Sequence, residues 1–324
     1  MEYTTLGSTG IEVSRLCLGC MSFGDPEWRE WVNGEAFGHE LVERARELGI
    51  NFFDTANMYS RGESERILGE ALEGHREASV IATKVFFPMR EDDPNSGGLS
   101  RKTIDQELSN SLDRLGVDTV DLYQTHRWDY DTPIEETLRA LTDAVRRGQV
   151  RHVGASSMWA YQLAEALHTS DRLGLERFAT MQNHYNLAYR EEEREVLPLC
   201  EREGLGVVPW SPMARGYLTR PHEAYMSTKR AETDDYAQKH PYADNGGREI
   251  NERVEELAAD RGVSMAQIAL SWLLHKEWVD APIVGASKLE HLEDAVEALE
   301  IDLSESDLEY LEEPYGPVSV SGHE

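Results

Sequence analysis

The sequence predicts a closed (β/α)8 barrel, an α/β fold of the TIM-barrel type, with an N-terminal β-hairpin and long loops on the C-terminal face. Three observations predict it. Short β-rich runs alternate with helical patterns eight times along the chain, which builds a parallel sheet wrapped by helices rather than a sandwich. Two short apolar runs around a glycine turn precede the first of these units, the signal of a hairpin. The 324 residues suit one large barrel with insertions, and nothing marks a second core. Residues 1–324 are therefore expected to form a single domain.

The elements follow in order. Tyr3–Leu6 and Ile11–Val13 flank Gly7-Ser8-Thr9-Gly10 and form the hairpin. Leu16-Cys17-Leu18 is the first barrel strand, and the later strands end at Phe53, Thr83, Tyr123, Ala155, Gln182, Pro209 and Val284. Helical patterns run over Glu40–Leu48, Glu63–Leu72, Arg101–Leu115, Ile134–Arg147, Trp159–Thr169, Glu191–Glu203, Glu249–Arg261 and Glu290–Leu299. Two segments break the rhythm. Phe86–Leu99, rich in Pro, Gly, Asp and Asn, reads as a loop after the third strand. Thr219–Gly247 is long, polar and poor in periodicity, and reads as a flexible lid, since loops of that length are usually functional or disordered.

Four ionisable groups fall at the carboxyl ends of three successive strands: Asp54, then Tyr59 in the loop behind it, Lys84 and His126. A parallel barrel opens all those ends on one face, where such folds keep their chemistry. A free phenol, with a pKa of about 10, is a poor acid at neutral pH, and a nearby ammonium lowers that value. Lys84 can supply the charge, Asp54 can pair with it and offset its desolvation, and His126 can hydrogen-bond a substrate oxygen. Together they describe a site that gives a proton to an oxygen developing negative charge, as when a carbonyl receives a hydride. Any one of them alone reads as structural, a rim ion pair or a loop aromatic; four complementary groups on strand ends do not.

Other residues carry readings of their own. Trp28 and Trp31, in the loop Met21–Phe37, are either one wall of a substrate pocket or loop anchors. Ser156 and Ser157 end a strand and offer hydroxyls, and Ser157 is equally an N-cap for the helix from Trp159. Gln182 ends the next strand with an amide that can bond another amide through donor and acceptor. Ser211–Gly216 supplies small residues and the Arg215 guanidinium, suited to phosphate oxygens. Pro282–Lys288 runs through a glycine turn into a helix start, an anion site by its free N–H groups and dipole.

The segments FFDTANMYSRGESERILGEAL, IATK, DLYQTHRWD, GASSM, MQNHYNL and VVPWSPMARG resemble the aldo-keto reductase family, from near residue 3 to beyond residue 300, with bacterial YajO-type members the most similar. The resemblance implies a barrel that binds NADPH or NADP+ in extended form without a Rossmann GxGxxG. It places the proton donor on Tyr59, with Lys84, Asp54 and His126 around it. It places the cofactor against Gly19, Cys20 and Met21, against Asp54, and against Ser156, Ser157 and Gln182 at the nicotinamide carboxamide. Many members carry Asn where this chain has Ser157. Trp210 falls where the nicotinamide ring stacks, Ser211, Pro212, Met213, Arg215 and Gly216 where the phosphates lie, and Gly285, Ser287, Lys288 and His291 at the adenosine 2′-phosphate. Ala295 stands where an adenine-binding Asn is usual. Trp28, Trp31, Tyr59, His126 and Trp128 would meet substrate.

The implied activity is NADPH-dependent reduction of an aldehyde or ketone to an alcohol, or the reverse. Three alternatives stand beside it. One is YajO-like action on a phosphorylated sugar, in the 1-deoxyxylulose 5-phosphate or thiamine direction, with Arg61 and Arg127 meeting the phosphate. Another is a regulatory subunit that binds NADPH with little turnover. The third is a class I aldolase using Lys84 as a Schiff-base amine.

Composition narrows the partners. Acids outnumber bases 61 to 32, a net charge of −29. Such a surface repels phosphate backbones, so no nucleic-acid partner is expected. Self-repulsion on this scale destabilises a compact chain unless salt screens it, which points to a halophilic source. No apolar run reaches the roughly 18 residues of a spanning helix, and MEYTTLGSTG lacks a leader pattern, so a cytoplasmic protein without membrane contact is expected. Cys17 and Cys20 have CxxC spacing without a second Cys or His cluster, and no metal site is expected. The sequence carries no signal of oligomeric state.

Overall fold

The computed structural model describes residues 1–234, 236 and 242–323. Strands β1 (Tyr3–Thr5) and β2 (Glu12–Ser14) pair antiparallel with Thr4 opposite Val13, the expected hairpin. Eight parallel strands follow: β3 (Cys17–Gly19), β4 (Phe52–Asp54), β5 (Val80–Val85), β6 (Val120–Thr125), β7 (Val150–Ser156), β8 (Phe178–Gln182), β9 (Gly206–Val207) and β10 (Ile283–Val284). Their order is β10-β3-β4-β5-β6-β7-β8-β9. The two ends of the sheet meet where the Ile283 N–H donates to Pro209 O at 2.9 Å and the Asp280 N–H to Val207 O at 3.0 Å, which closes the predicted barrel.

Period-2 alternation sorts the strand side chains into two layers. Cys17, Phe52, Val80, Ala82, Leu122 and Ile283 point inward and form one apolar cluster with Leu6 and Val13 of the hairpin. The hairpin therefore fills the amino-terminal end of the barrel, where each buried Leu or Val is worth about 1.5–3 kcal/mol. Gly7, at φ +53°, is needed there: a Cβ would sit 2.3 Å from Gly206 N. Leu18, Phe53, Ile81, Tyr123, Val153 and Met181 point outward and pack beneath the helices.

The helices stand close to their expected places. Arg101–Leu115 begins at Ser100, whose Oγ accepts the Thr103 N–H, and ends at Gly116 in the left-handed region. Glu35–Glu47 starts a turn earlier than expected, and Ala160–Leu173 runs a turn further, to Gly174 at φ +63°. The expected helix Glu191–Glu203 is broken into a 3-10 turn, Glu191–Arg194, and a helix, Val196–Glu203. Pro198 explains the break: it has no N–H to donate, so it is accommodated only in a first turn. Helix Met265–Leu274, capped by Ser264, lies outside every predicted pattern. Ile268, Ala269, Leu270, Trp272 and Leu273 are all buried, so it has no polar face and no amphipathic period to detect.

The long segment after β9 carries more structure than expected. Ala214–Thr219 forms 3-10 turns, and short helices span His222–Tyr225 and Lys229–Thr233. Residues 235 and 237–241 of the expected lid lie outside the described residues. No helix among the described residues is long and apolar enough to cross a membrane.

Candidate active site

The inward alternation that buries Phe52, Ala82 and Leu122 places Asp54, Lys84 and Gln124 one step nearer the carboxyl ends, so a polar layer caps the apolar one. Lys84, fully buried, donates from Nζ to Asp54 Oδ1 at 2.5 Å, to Thr55 O at 2.7 Å and to the Tyr59 hydroxyl oxygen at 3.3 Å. All three ammonium protons thus have acceptors. The other Asp54 oxygen accepts from Gln124 Nε2 at 3.1 Å and Gln182 Nε2 at 2.8 Å. Gln182 Nε2 also reaches Gln124 Oε1 at 3.3 Å, so its two N–H groups are committed inside the layer and Oε1 is the acceptor it has left.

Tyr59 reaches this layer from the loop after β4. Ser60 and Arg61 behind it sit at φ +49° and +55°. The ring lies 5.9 Å from that of His126, nearly perpendicular at 80°, and 6.4 Å from Trp28. Burial holds the Tyr59 phenol above its ordinary value, and the opposing pull of the Lys84 ammonium does not overcome it. The net shift is opposite to the lowering expected from the charge pairing alone. For Lys84, burial is the largest influence and disfavours the charge, but the Asp54 carboxylate and the Tyr59 phenol oxygen together outweigh it and the net shift is upward. Burial, then the charges of Lys84 and Arg127, hold His126 well below its ordinary value, so the imidazole is neutral at pH 7.

A cavity of about 1270 Å³ opens on this cluster, larger than the roughly 300–1,000 Å³ usual for one small ligand. Asp54, Tyr59 and His126 line it, as do Trp28 and Trp31. Gly19, Met21, Ser156, Gln182 and Trp210 line the middle. Ser211, Pro212, Met213, Arg215 and Gly216 continue the wall, and Gly285, Ser287, Lys288 and His291 complete the far end. Every predicted substrate and cofactor residue lines the cavity except three. Cys20 is fully buried in the strand–helix layer. Ser157 is turned behind Trp210, whose Nε1–H donates to its Oγ at 3.1 Å. Trp128 packs on the core. The N-cap reading of Ser157 is also corrected: the helix starts at Ala160, and the Trp159 N–H is taken by Gln162 Oε1.

Backbone strain gathers at this rim. Of the seven non-glycine residues at positive φ among the described residues, Ser60 and Arg61 adjoin Tyr59, while Ser157, Ser211, Ala214 and Arg215 surround Trp210. At about 1–3 kcal/mol each, such conformations persist where the site requires them.

Several participants escaped the sequence reading. His184 lies in a stack between Trp210 and Tyr189, at 4.2 and 4.0 Å. Buried Asp234, in the segment after β9, is ion-paired at 2.9 Å to Arg215, which the sequence places at the phosphates. Phe87, Arg220 and Tyr236 line the cavity, beside Arg127, which the sequence offers as a contact for a substrate phosphate. Gln124 had a visible signal, its step of two from inward-facing Leu122; the others depend on distant segments. The CxxC pair separates, Cys17 into the barrel interior and Cys20 into the outer layer, and burial pushes both thiols up.

Residues 15–315 match the profile described as the aldo/keto reductase family. A Schizosaccharomyces pombe protein provisionally named an aryl-alcohol dehydrogenase is 44% identical over 345 residues, covering 99% of this chain and 97% of its own. The aldo-keto reductase AMT2 of Alternaria alternata is 40% identical over 346 residues (99% and 93%). The versiconal hemiacetal acetate reductase of Aspergillus parasiticus is 41% identical over 341 (99% and 98%). These relatives are fungal and lend no support to the expected nearness to bacterial YajO-type members or to a halophilic source.

Proposed function

This chain belongs to the aldo/keto reductase family, and we propose on that premise that it is an NADPH-dependent reductase of aldehydes or ketones, reversible as an alcohol dehydrogenase. The observation that carries the reading is the bonded series Asp54–Lys84–Tyr59, with neutral His126 beside it, at the wall of one cavity. A bound nicotinamide cofactor would supply the hydride. Tyr59, its phenol raised, holds its proton at neutral pH and can release it to a substrate oxygen on which charge develops. Lys84, bonded to the phenol oxygen, stabilises the phenolate left behind, and Asp54 keeps Lys84 charged. His126, uncharged, can donate to the same substrate oxygen without adding a cation that would compete with Lys84.

The cavity's chemistry suits the cofactor. A Cβ built on Gly285 would meet no atom within 4 Å, so a phosphate could approach the backbone there. Among the described residues Arg220 donates only to Thr219 Oγ1, and no carboxylate pairs with it or with Lys288. Two unpaired cations at the far end of an acid-rich chain favour NADPH over NADH, against one opposing carboxylate, Asp294, in the same wall. The aromatic walls Trp28, Trp31 and Phe87, with the aryl-alcohol name of one relative, favour an aryl aldehyde. The sugar-phosphate reading keeps one support, Arg127 in the cavity wall; Arg61 is exposed and does not line it. We read the charge of −29 as adaptation to salt, and a melting temperature unmoved between millimolar and molar potassium chloride would end that reading.

Tyr59→Phe tests the reading. Aldehyde turnover is expected to fall about 10²–10⁴-fold with NADPH binding retained by fluorescence titration; undiminished turnover refutes the assignment.

A further inference from the structure

The substrate end of the cavity holds a guanidinium that pairs with no carboxylate among the described residues. Arg127 follows His126 out of β6 and lines the cavity with Tyr59 and Phe87. Its Nη1 donates to the carbonyl of His126 at 2.6 Å, and its Cζ lies 5.5 Å from the centroid of Phe87. Among the described residues no carboxylate forms an ion pair with it. Burial lowers its pKa, and the groups that oppose this are two phenols, Tyr236 and Tyr59. Four other partly buried arginines pair with acids: Arg114 with Glu65, Arg190 with Glu193, Arg215 with Asp234 and Arg253 with Glu249. Arg15 and Arg220, like Arg127, form no ion pair among the described residues.

In a chain with 61 acidic residues, a half-buried arginine in a cavity wall that pairs with no carboxylate among the described residues is partly desolvated at a cost that a ligand carrying the opposite charge offsets. A guanidinium is also the group whose paired N–H donors match the oxygens of carboxylate or phosphate. Its place relative to the reacting centre follows from Phe87. The imidazole of His126 meets that ring edge-on at 5.0 Å, and Arg127 lies against the same ring. The oxygen-binding imidazole and the guanidinium are therefore both in contact with one phenyl ring, each about 5 Å from its centre.

We propose that Arg127 determines specificity in this site by selecting carbonyl substrates that carry an anionic group, carboxylate or phosphate, about one aromatic ring away from the carbonyl that is reduced. The proposal deepens the reductase reading and rests on it. The opposing role for the same side chain is purely electrostatic, a cation that biases Tyr59 and His126 for every substrate alike.

The test compares 4-formylbenzoate and 4-formylphenyl phosphate with the neutral methyl 4-formylbenzoate, reading the ratio of kcat/KM rather than either value. In the natural enzyme at least one anion is expected to exceed the ester by about 10- to 100-fold, the range for a hydrogen-bonded charge. Which one does so identifies carboxylate or phosphate. Arg127→Met is expected to bring the ratio to one or below, and Arg127→Lys to restore part of it. A ratio near one in the natural enzyme, or one that Arg127→Met leaves unchanged while the pH profile shifts for all substrates, overturns the proposal. A second measurement needs no turnover: benzoate and benzamide are titrated by tryptophan fluorescence against the enzyme with NADP+. Benzoate is expected to bind more tightly, and only its affinity is expected to fall in Arg127→Met. If that holds while no aldehyde is reduced, the reductase reading fails and the anion site stands. If aldehydes are reduced without charge preference, the reverse is true.

Discussion

The imidazole of His184 lies parallel to the indole of Trp210, ring centroids 4.2 Å apart and planes 9° from each other. His184 is itself held by Tyr242 Oη at 2.9 Å and stacked on Tyr189, so one face of the indole is covered by a fixed ring. Only the other face is left for a flat ligand. His184→Leu removes the backing and keeps most of the volume. A stack of this kind is worth about 0.5–1.5 kcal/mol, so NADPH affinity is expected to weaken about 2- to 10-fold, with a shift in Trp210 emission. Unchanged affinity and emission would show that the indole needs no backing.

Lys84→Met leaves the Asp54 carboxylate buried with only the amides of Gln124 and Gln182. Breaking a buried pair from one side costs about 3–5 kcal/mol. Urea denaturation of the single variant is expected to show a loss of that size. The double variant with Asp54→Asn should recover part of it, because no charge is then stranded. Equal losses in single and double variants would mean that packing, not charge, is responsible.

Arg220→Ala and Lys288→Ala each remove from the cavity wall one cation that pairs with no carboxylate among the described residues. Each is expected to weaken NADPH about 10-fold while barely affecting NADH, as for loss of a charge-assisted bond to a phosphate. Titration of both cofactors decides it. If NADPH and NADH weaken together, the two residues serve the fold or the shared pyrophosphate.

Asp280 joins the barrel to its plug, its Oδ2 accepting the Gly7 N–H at 2.8 Å. Burial raises its carboxyl from the ordinary 3.8 to about 6. The folded state therefore holds the proton more tightly, and the resulting stability is complete below about pH 4 and is lost as pH rises through 6. Asp280→Asn keeps an acceptor without the charge. It is expected to stabilise the protein by about 1–2 kcal/mol above pH 6 and to change little at pH 4. A gain that is the same at both pH values would assign it to packing.

Legibility from sequence varied with the range of the interaction. Strand ends such as Asp54, Lys84 and His126 follow from short β-rich runs and the shared polarity of parallel strands, so they were readable locally. Helix Met265–Leu274 was not, because uniform burial erases the period that reveals a helix. The Arg215–Asp234 pair was not, because nothing in either segment specifies the other.

The one-dimensional order of the chain determined the barrel, the face on which its chemistry lies and the four groups gathered there, since alternation and strand polarity are local properties. Tertiary closure alone decided the rest. It brought Gln182 to Asp54 across 128 positions, set His184 behind Trp210, left Arg127 without a counter-ion among the described residues and raised the Tyr59 phenol. Desolvation and long-range pairing exist only once distant strands share one interior.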